Sequence, residues 1–200
     1  MDEGYIKFNV QWKKAPPLPT AILRDIRHWR DEMHRRGLIG VYENGIGYGN
    51  ISTRYGADGR FIISGSATGH LPTLLPAHFT EVTGFDIEKN RVACRGPAVA
   101  SSESMSHAVV YRDCPEVNGV IHIHHAALWA FLLHQVPTTD AGAAYGSPEM
   151  AGSIVRLLRE TDLRQQKIFV MEGHPEGVFS FGETLAAAAG AIFSVLKKLG

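Results

Sequence analysis

The hexapeptide Gly119-Val120-Ile121-His122-Ile123-His124 is rich in β-branched residues and short, which predicts a buried strand. In a strand, successive side chains alternate, so His122 and His124 leave one face while Ile121 and Ile123 enter the core behind it. Two imidazoles on one face can share a metal ion. A third neutral ligand would complete a three-residue set that leaves a coordination position open for water or substrate. His174, which follows strand-like Ile168 to Met171 and precedes a turn, is the best-placed candidate. The same His-x-His pattern also fits the plain polar face of a strand, and the hexapeptide alone leaves both readings open. His125 points the other way in an ideal strand. His28, His34, His70, His78, His107 and His134 have no such geometry and read as surface or core residues.

Upstream, Ile51 to Tyr55 and Arg60 to Ile63 flank Gly56-Ala57-Asp58-Gly59 and predict a β-hairpin. Glycine recurs from Gly40 to Gly49, and a second glycine-rich loop spans Ser64 to Gly69. The run Gly45-x-Gly47-x-Gly49 has a spacing that can approach a pyrophosphate. It leads into a strand and not a helix, so the context for dinucleotide binding is missing. Ile22, Ile26, Trp29 and Met33 predict a helix capped by Thr20 and stopped by Gly37, with arginines on its outer face. Ser102 to Arg112, Pro148 to Arg159 and Thr184 to Lys198 predict three more helices, and Lys167 to Met171 and Val178 to Phe181 two more strands. At the front, Tyr5 to Val10 alternate like a short strand, followed by an extended arm to Pro19. Strands and helices interleave, several strand pairs are joined by short turns, and no linker or repeat intervenes. The expectation is one α/β domain over 1–200 with an N-terminal arm at 1–19 and a mixed sheet.

Glu103 sits in Ser101-Ser102-Glu103 at a predicted helix start, where unpaired N–H groups and two hydroxyls can cradle a phosphate or carboxylate and a glutamate can accept a proton. Taken alone, the tripeptide is equally an ordinary capping motif. Composition narrows the partners. With Lys plus Arg and Asp plus Glu both at 20, there is no basic surplus to concentrate nucleic acid or acidic lipid. No apolar run approaches the roughly 18 residues of a membrane span, and the N-terminus carries no secretory pattern. Two cysteines, Cys94 and Cys114, far from any Cys-x-x-Cys spacing, suit a reducing compartment, so a cytoplasmic location is expected.

Taken in order, Gly49-Asn50-Ile51-Ser52, the loop Ser64 to Gly69, Ser101-Ser102-Glu103 with His107, His122-Ile123-His124 and His174 resemble the class II aldolase/adducin family. Tyr145 to Ala151 also resembles a recurring family stretch before a helix. The resemblance implies a three-layer α/β/α sandwich with a mostly antiparallel sheet, assembled as a homotetramer with sites between neighbouring subunits. It implies that His122, His124 and His174 hold a divalent ion of zinc type, with manganese or iron also fitting. Glu103 becomes the acid/base, and Asn50, Ser101 and Ser102 part of a phosphate pocket. The family's counterpart of Ser64 to Gly69 usually reads Thr-Pro-Ser-Gly and is shorter, so the participating hydroxyl is that of Ser64, Ser66 or Thr68. The third histidine is normally followed by glycine, whereas this chain reads His174-Pro175-Glu176-Gly177. No tail tyrosine of the kind that family aldolases supply is expected after Gly200.

The activity implied is that of a metal-dependent lyase that cleaves a small, phosphorylated hydroxyketone or sugar phosphate through an enediolate. Dehydratases and decarboxylases share that half-reaction. Epimerising members carry aspartate where this chain has Glu103. A non-catalytic interaction domain of the adducin branch lacks the metal ligands, and all three are present here.

Overall fold

The computed structural model describes residues 6–56 and 58–199. Along the chain lie β1 (Asn9–Lys14), α1 (Arg24–Arg35), β2 (Gly40–Val41), β3 (Gly47–Tyr48), β4 (Asn50–Arg54), β5 (Phe61–Ser64), β6 (Phe79–Asp86) and β7 (Arg91–Gly96). There follow α2 (Ser104–Asp113), β8 (Gly119–His124), α3 (Ala126–Leu132), α4 (Pro148–Glu160), α5 (Leu163–Gln166), β9 (Ile168–Val170), β10 (Gly177–Gly182) and α6 (Leu185–Leu196). Eight strands form one sheet in the order β1-β7-β6-β5-β4-β8-β10-β9, and β2 and β3 pair separately. Among the described residues, only the β1–β7 strand pair of the large sheet is parallel, so the sheet is mixed and mostly antiparallel.

The hexapeptide is β8, buried throughout and paired on both sides, with β4 and β10 as neighbours. Its alternation assigns the two cores. Ile121 and Ile123 pack with Ile51 and Val178 beneath Leu23, Ile26, Leu185, Ala188 and Ile192, the layer formed by α1 and α6. On the opposite face, Val120, Phe179 and Phe181 pack with Met105, Val109, Ile154 and Leu157 from α2 and α4. Each such fully buried aliphatic side chain contributes about 1.5–3 kcal/mol. Helices on both faces of the sheet give the three-layer α/β/α sandwich. Ser147 and Thr184 cap α4 and α6 by accepting from the N–H groups of Met150 and Ala187.

Several local expectations shift. The first strand lies at Asn9–Lys14 and not over residues 5–10; Tyr5 is outside the described residues. Every residue of this strand is exposed, and its place is set by parallel pairing with β7 and by Trp12 Nε1 donating to the Gly96 carbonyl at 3.0 Å. Thr20 does not cap α1; residues Thr20–Leu23 form a 3-10 turn and the α-helix begins at Arg24. Arg30, expected on the outer face of that helix, is only 1% exposed. The hairpin β6–β7 and the short helix α3 have no counterpart in the local sequence pattern. In β6 the apolar positions are interrupted by Thr80, Glu81 and Thr83, and α3 is too short for helical periodicity to emerge. Among the described residues, no helix is long and apolar enough to cross a membrane.

Candidate metal centre and active site

The register of β4, β8 and β10 places Asn50 and Phe179 on either side of His122, and Gly177 beside His124. His174 reaches the same spot from the turn between β9 and β10, which the bonds Met171 N–H to Gly177 carbonyl and Gly177 N–H to His174 carbonyl close. The three imidazoles converge: His124 Nε2 lies 3.1 Å from His122 Nε2 and 3.0 Å from His174 Nε2. A tetrahedral ion with metal–nitrogen bonds of about 2.0–2.1 Å needs ligand nitrogens about 3.3 Å apart, and the three ligand nitrogens all lie within 4.8 Å of one another, so the rings can close on such an ion by relaxing.

The protonation states also fit. Burial, followed by the neighbouring imidazoles, holds His122 and His124 well below the ordinary histidine value. Burial, and then the Lys7 ammonium, pushes His174 down to about 4. All three are neutral near pH 7, as a cation requires. His122 Nδ1 lies 3.3 Å from the Val178 carbonyl, which can only accept, so the ring proton sits on Nδ1 and Nε2 keeps its lone pair. These residues can hold a divalent ion.

Glu103 stands beside this trio. It is 2% exposed, with Oε1 3.5 Å from His174 Nε2 and Oε2 accepting from the Ser106 hydroxyl at 3.2 Å. Helix α2 begins at Ser104, two positions later than the expected serine cap, because Ser104 N–H and Oγ both donate to the Ser101 carbonyl. Glu103 is thereby the residue at the helix entrance, turned towards the histidines.

A cavity of about 220 Å3 opens over the three histidines. It is lined by Glu103, His122, His124 and His174 together with Asn50, Ser66, Thr68, Ser101, Ser102 and the glycines of the two loops. Gly49 makes the close approach possible: at φ +73° it adopts a conformation that other residues resist, and a Cβ there would sit 2.8 Å from Ile39 Cγ1 and 3.0 Å from the His122 carbonyl. Ser64 is an exception among the expected hydroxyls. It lies in β5, outside the cavity lining, and its Oγ accepts from the Ile51 N–H at 3.2 Å, so it serves the sheet. The expected pocket hydroxyl therefore falls to Ser66 or Thr68, and Thr68 already donates to the Gly65 carbonyl at 2.8 Å.

Two buried residues hold parts of this lining in place, and sequence reading stated a function for neither: Arg30, and His107, which entered only as part of the motif set. Arg30 donates to the carbonyls of Leu71, Thr68 and Gly69, and burial lowers its guanidinium to about 10. Because the peptide unit is planar and trans, carbonyls drawn towards Arg30 turn the Gly69 and His70 N–H groups the opposite way. His107, which by itself read as a surface or core histidine, is 0% exposed and pushed down to about 3 by burial, hence neutral. Its Nε2 is 2.6 Å from Asn50 Oδ1 and its Nδ1 2.6 Å from Ser52 Oγ, which is 2.9 Å from the Tyr111 hydroxyl. A neutral ring has one proton, and Asn50 Oδ1 can only accept, so Nε2 donates to Asn50 and Nδ1 accepts from Ser52. With its oxygen tied to His107, Asn50 offers its NH2 group to the cavity. Tyr111 is thus part of the buried network, whereas Tyr145 lines the cavity with its ring 4.8 Å from that of His174. His125 caps α3, accepting from the Leu128 N–H at 3.1 Å, and takes no part in the cluster.

Fold and site together define a class of α/β protein with a metal-competent three-histidine centre next to a buried carboxylate. Solved structures share the fold. The L-fuculose-1-phosphate aldolase of Thermus thermophilus superposes with a TM-score of 0.66 at 23% identity, covering 90% of this chain and 92% of that one. A sugar-phosphate aldolase of Thermotoga maritima gives 0.68 at 15% identity over 90% and 92%. The N-terminal class II aldolase domain of a conserved protein of Thermoplasma acidophilum gives 0.58 at 13% over 88% and 90%. No curated protein matches by sequence. The family model for the class II aldolase and adducin N-terminal domain matches residues 30–197, and the chain belongs to that family.

Proposed function

We propose that this chain is a divalent-metal-dependent lyase that cleaves a small phosphorylated hydroxyketone or sugar phosphate in an aldol sense. The observation that carries the reading is Glu103: a carboxylate 2% exposed, 3.5 Å from the third imidazole, on the wall of the cavity the three histidines share. His122, His124 and His174 hold the ion, most simply zinc, since three neutral imidazoles with a position left open are a zinc-type set. When bound, the ion polarises a substrate carbonyl and its neighbouring hydroxyl. In the cleaving direction Glu103 gives a proton to the carbon next to that carbonyl, which loses its bond to the departing aldehyde. In the condensing direction it takes that proton back, while the Ser106 hydroxyl keeps its second oxygen oriented. The Asn50 amide, Ser66, Ser101 and Ser102, which line the same cavity, bind the phosphate end. Dehydration or decarboxylation of a related substrate uses the same proton-moving carboxylate and is the second reading. We further propose a cytoplasmic homotetramer, in keeping with the family resemblance and with two buried thiols that suit a reducing compartment.

The deciding measurement is exchange of an α-hydrogen of dihydroxyacetone phosphate with deuterated water, followed by proton NMR. Exchange is expected from the metal-loaded protein and lost in Glu103→Gln, which keeps size and cannot accept the proton. Full metal occupancy without exchange, for this and several other short hydroxyketones, would refute the aldolase half-reaction. Light scattering tests the tetramer, and a strict monomer would remove it.

A further inference from the structure

The sequence departs from the family pattern after its third histidine, and the inserted Glu176 points at another ligand. Tyr42 Oη lies 2.9 Å from His124 Nδ1 and donates to Glu176 Oε2 at 2.8 Å. An ionised carboxylate only accepts, so the phenol's proton goes to Glu176, and the phenol oxygen is left to accept the His124 Nδ1 proton. The chain of bonds runs one way, from His124 through Tyr42 to Glu176. It leaves the lone pair of His124 on Nε2, the atom facing His122 and His174.

Both outer members are held for this contact. Tyr42 sits in the turn between β2 and β3, its N–H bonded to the Ile46 carbonyl and its carbonyl to the Gly45 N–H, both at 2.9 Å, with its ring 4.5 Å from that of Tyr48. Glu176 has φ 69°, the left-handed region that glycine occupies easily and glutamate does not. A strained non-glycine residue whose side chain backs a ligand is a candidate for a functional constraint.

We propose that Tyr42 and Glu176 are positioning residues that fix the His124 tautomer and strengthen it as a metal ligand, a role that His122 obtains from a backbone carbonyl. This rests on the metal reading given above. Removing such an outer partner typically weakens metal binding about 10–100-fold.

The test measures zinc affinity by competition with a chromogenic chelator, and the visible spectrum of the cobalt-substituted protein, for the full chain and for Tyr42→Phe, Glu176→Gly and Glu176→Gln. Tyr42→Phe and Glu176→Gly are expected to bind zinc about 10–100-fold more weakly with a shifted cobalt spectrum. Glu176→Gly relieves the backbone strain, so the metal-free protein should unfold no more easily than the parent, which separates a ligand effect from lost stability. Glu176→Gln, whose carbonyl can still accept from Tyr42, should recover part of the affinity. Parental affinity and spectrum in all three variants would overturn the relay alone. A parent chain that binds no stoichiometric zinc would overturn the metal reading and the relay with it.

Discussion

Lowering the pH should unfold the metal-free protein through its buried histidines, and the size of the effect follows from the site. His107 is pushed down to about 3 and His174 to about 4, and His122 and His124 lie well below 6.5, burial being the first cause in each. In the unfolded chain all four return to about 6.5. Between the folded and unfolded values, the unfolded chain binds protons that the native state does not, so stability is intact above about pH 7 and falls as the pH drops through 6.5. At pH 5.5 each such histidine costs on the order of 1 kcal/mol and at pH 7.5 almost nothing, so the four together remove on the order of 5 kcal/mol between the two. A domain of ordinary stability has about 5–15 kcal/mol in all, so the loss is a large part of it. His34 and His78 are lowered in the same direction, with burial again the first cause and the Arg30 guanidinium the second, but both are largely solvated and add little.

Urea unfolding at pH 7.5, 6.5 and 5.5 reads this directly. With a slope of about 2 kcal/mol per molar urea, the midpoint should fall by about 2.5 M across that range. The steepness near pH 5.5 should correspond to uptake of between about three and four protons on unfolding. A saturating divalent ion binds only the neutral imidazoles of the folded state, so it should restore most of the lost midpoint at pH 6.5. His107→Gln can still bond Asn50 and Ser52 and should take about one proton out of the slope while leaving metal binding intact. A midpoint independent of pH over this range would refute the picture of four neutral, buried imidazoles.

Other expectations separate the binding wall from the scaffold. Double substitution of His122 and His124 by alanine should abolish metal retention, and equal, near-zero metal in parent and variant after reconstitution would make the trio a mere polar strand face. Asn50→Asp replaces the amide donors aimed at the cavity by an acceptor, so competition by inorganic phosphate should be lost while the fold persists; unchanged competition would contradict the Asn50 orientation. Ser64→Ala should lower stability by about 1 kcal/mol, since its hydroxyl accepts from Ile51, and leave phosphate competition unaltered, whereas Ser66→Ala should do the reverse. Arg30→Met leaves the carbonyls of Thr68, Gly69 and Leu71 without their donor and should cost about 1–3 kcal/mol by urea unfolding, with weaker phosphate competition as the loop relaxes.

The hexapeptide Gly119 to His124 disclosed a buried strand with two histidines on one face, because side-chain alternation is a local property of extended chain. The β4–β5 hairpin and the helices starting at Pro148 and Leu185 were legible for the same reason: turn glycines, caps and periodicity act over a few residues. The ordered motifs carried the family, and with it the layering of the sandwich. Distance along the chain hid the rest. Arg30 stands four residues after Ile26 and three before Met33, so helical periodicity itself puts it on the inner face; what no local pattern discloses is that the loop of residues 68–71 will supply the carbonyls that accept from it there. His107 could have been a surface or a core histidine until Asn50 and Ser52, brought alongside by β4, gave its ring two partners and a direction. Ser64 and Ser66 are alike in sequence, and the end of β5 alone turns one hydroxyl to the sheet and leaves the other at the cavity. Tyr42 and Glu176 lie 134 positions apart, and their meeting behind His124 depends on two turns whose approach no local pattern encodes. Tertiary structure decides such contacts because hydrogen-bond direction and burial are properties of the assembled neighbourhood, and a sequence specifies that neighbourhood only through the fold as a whole.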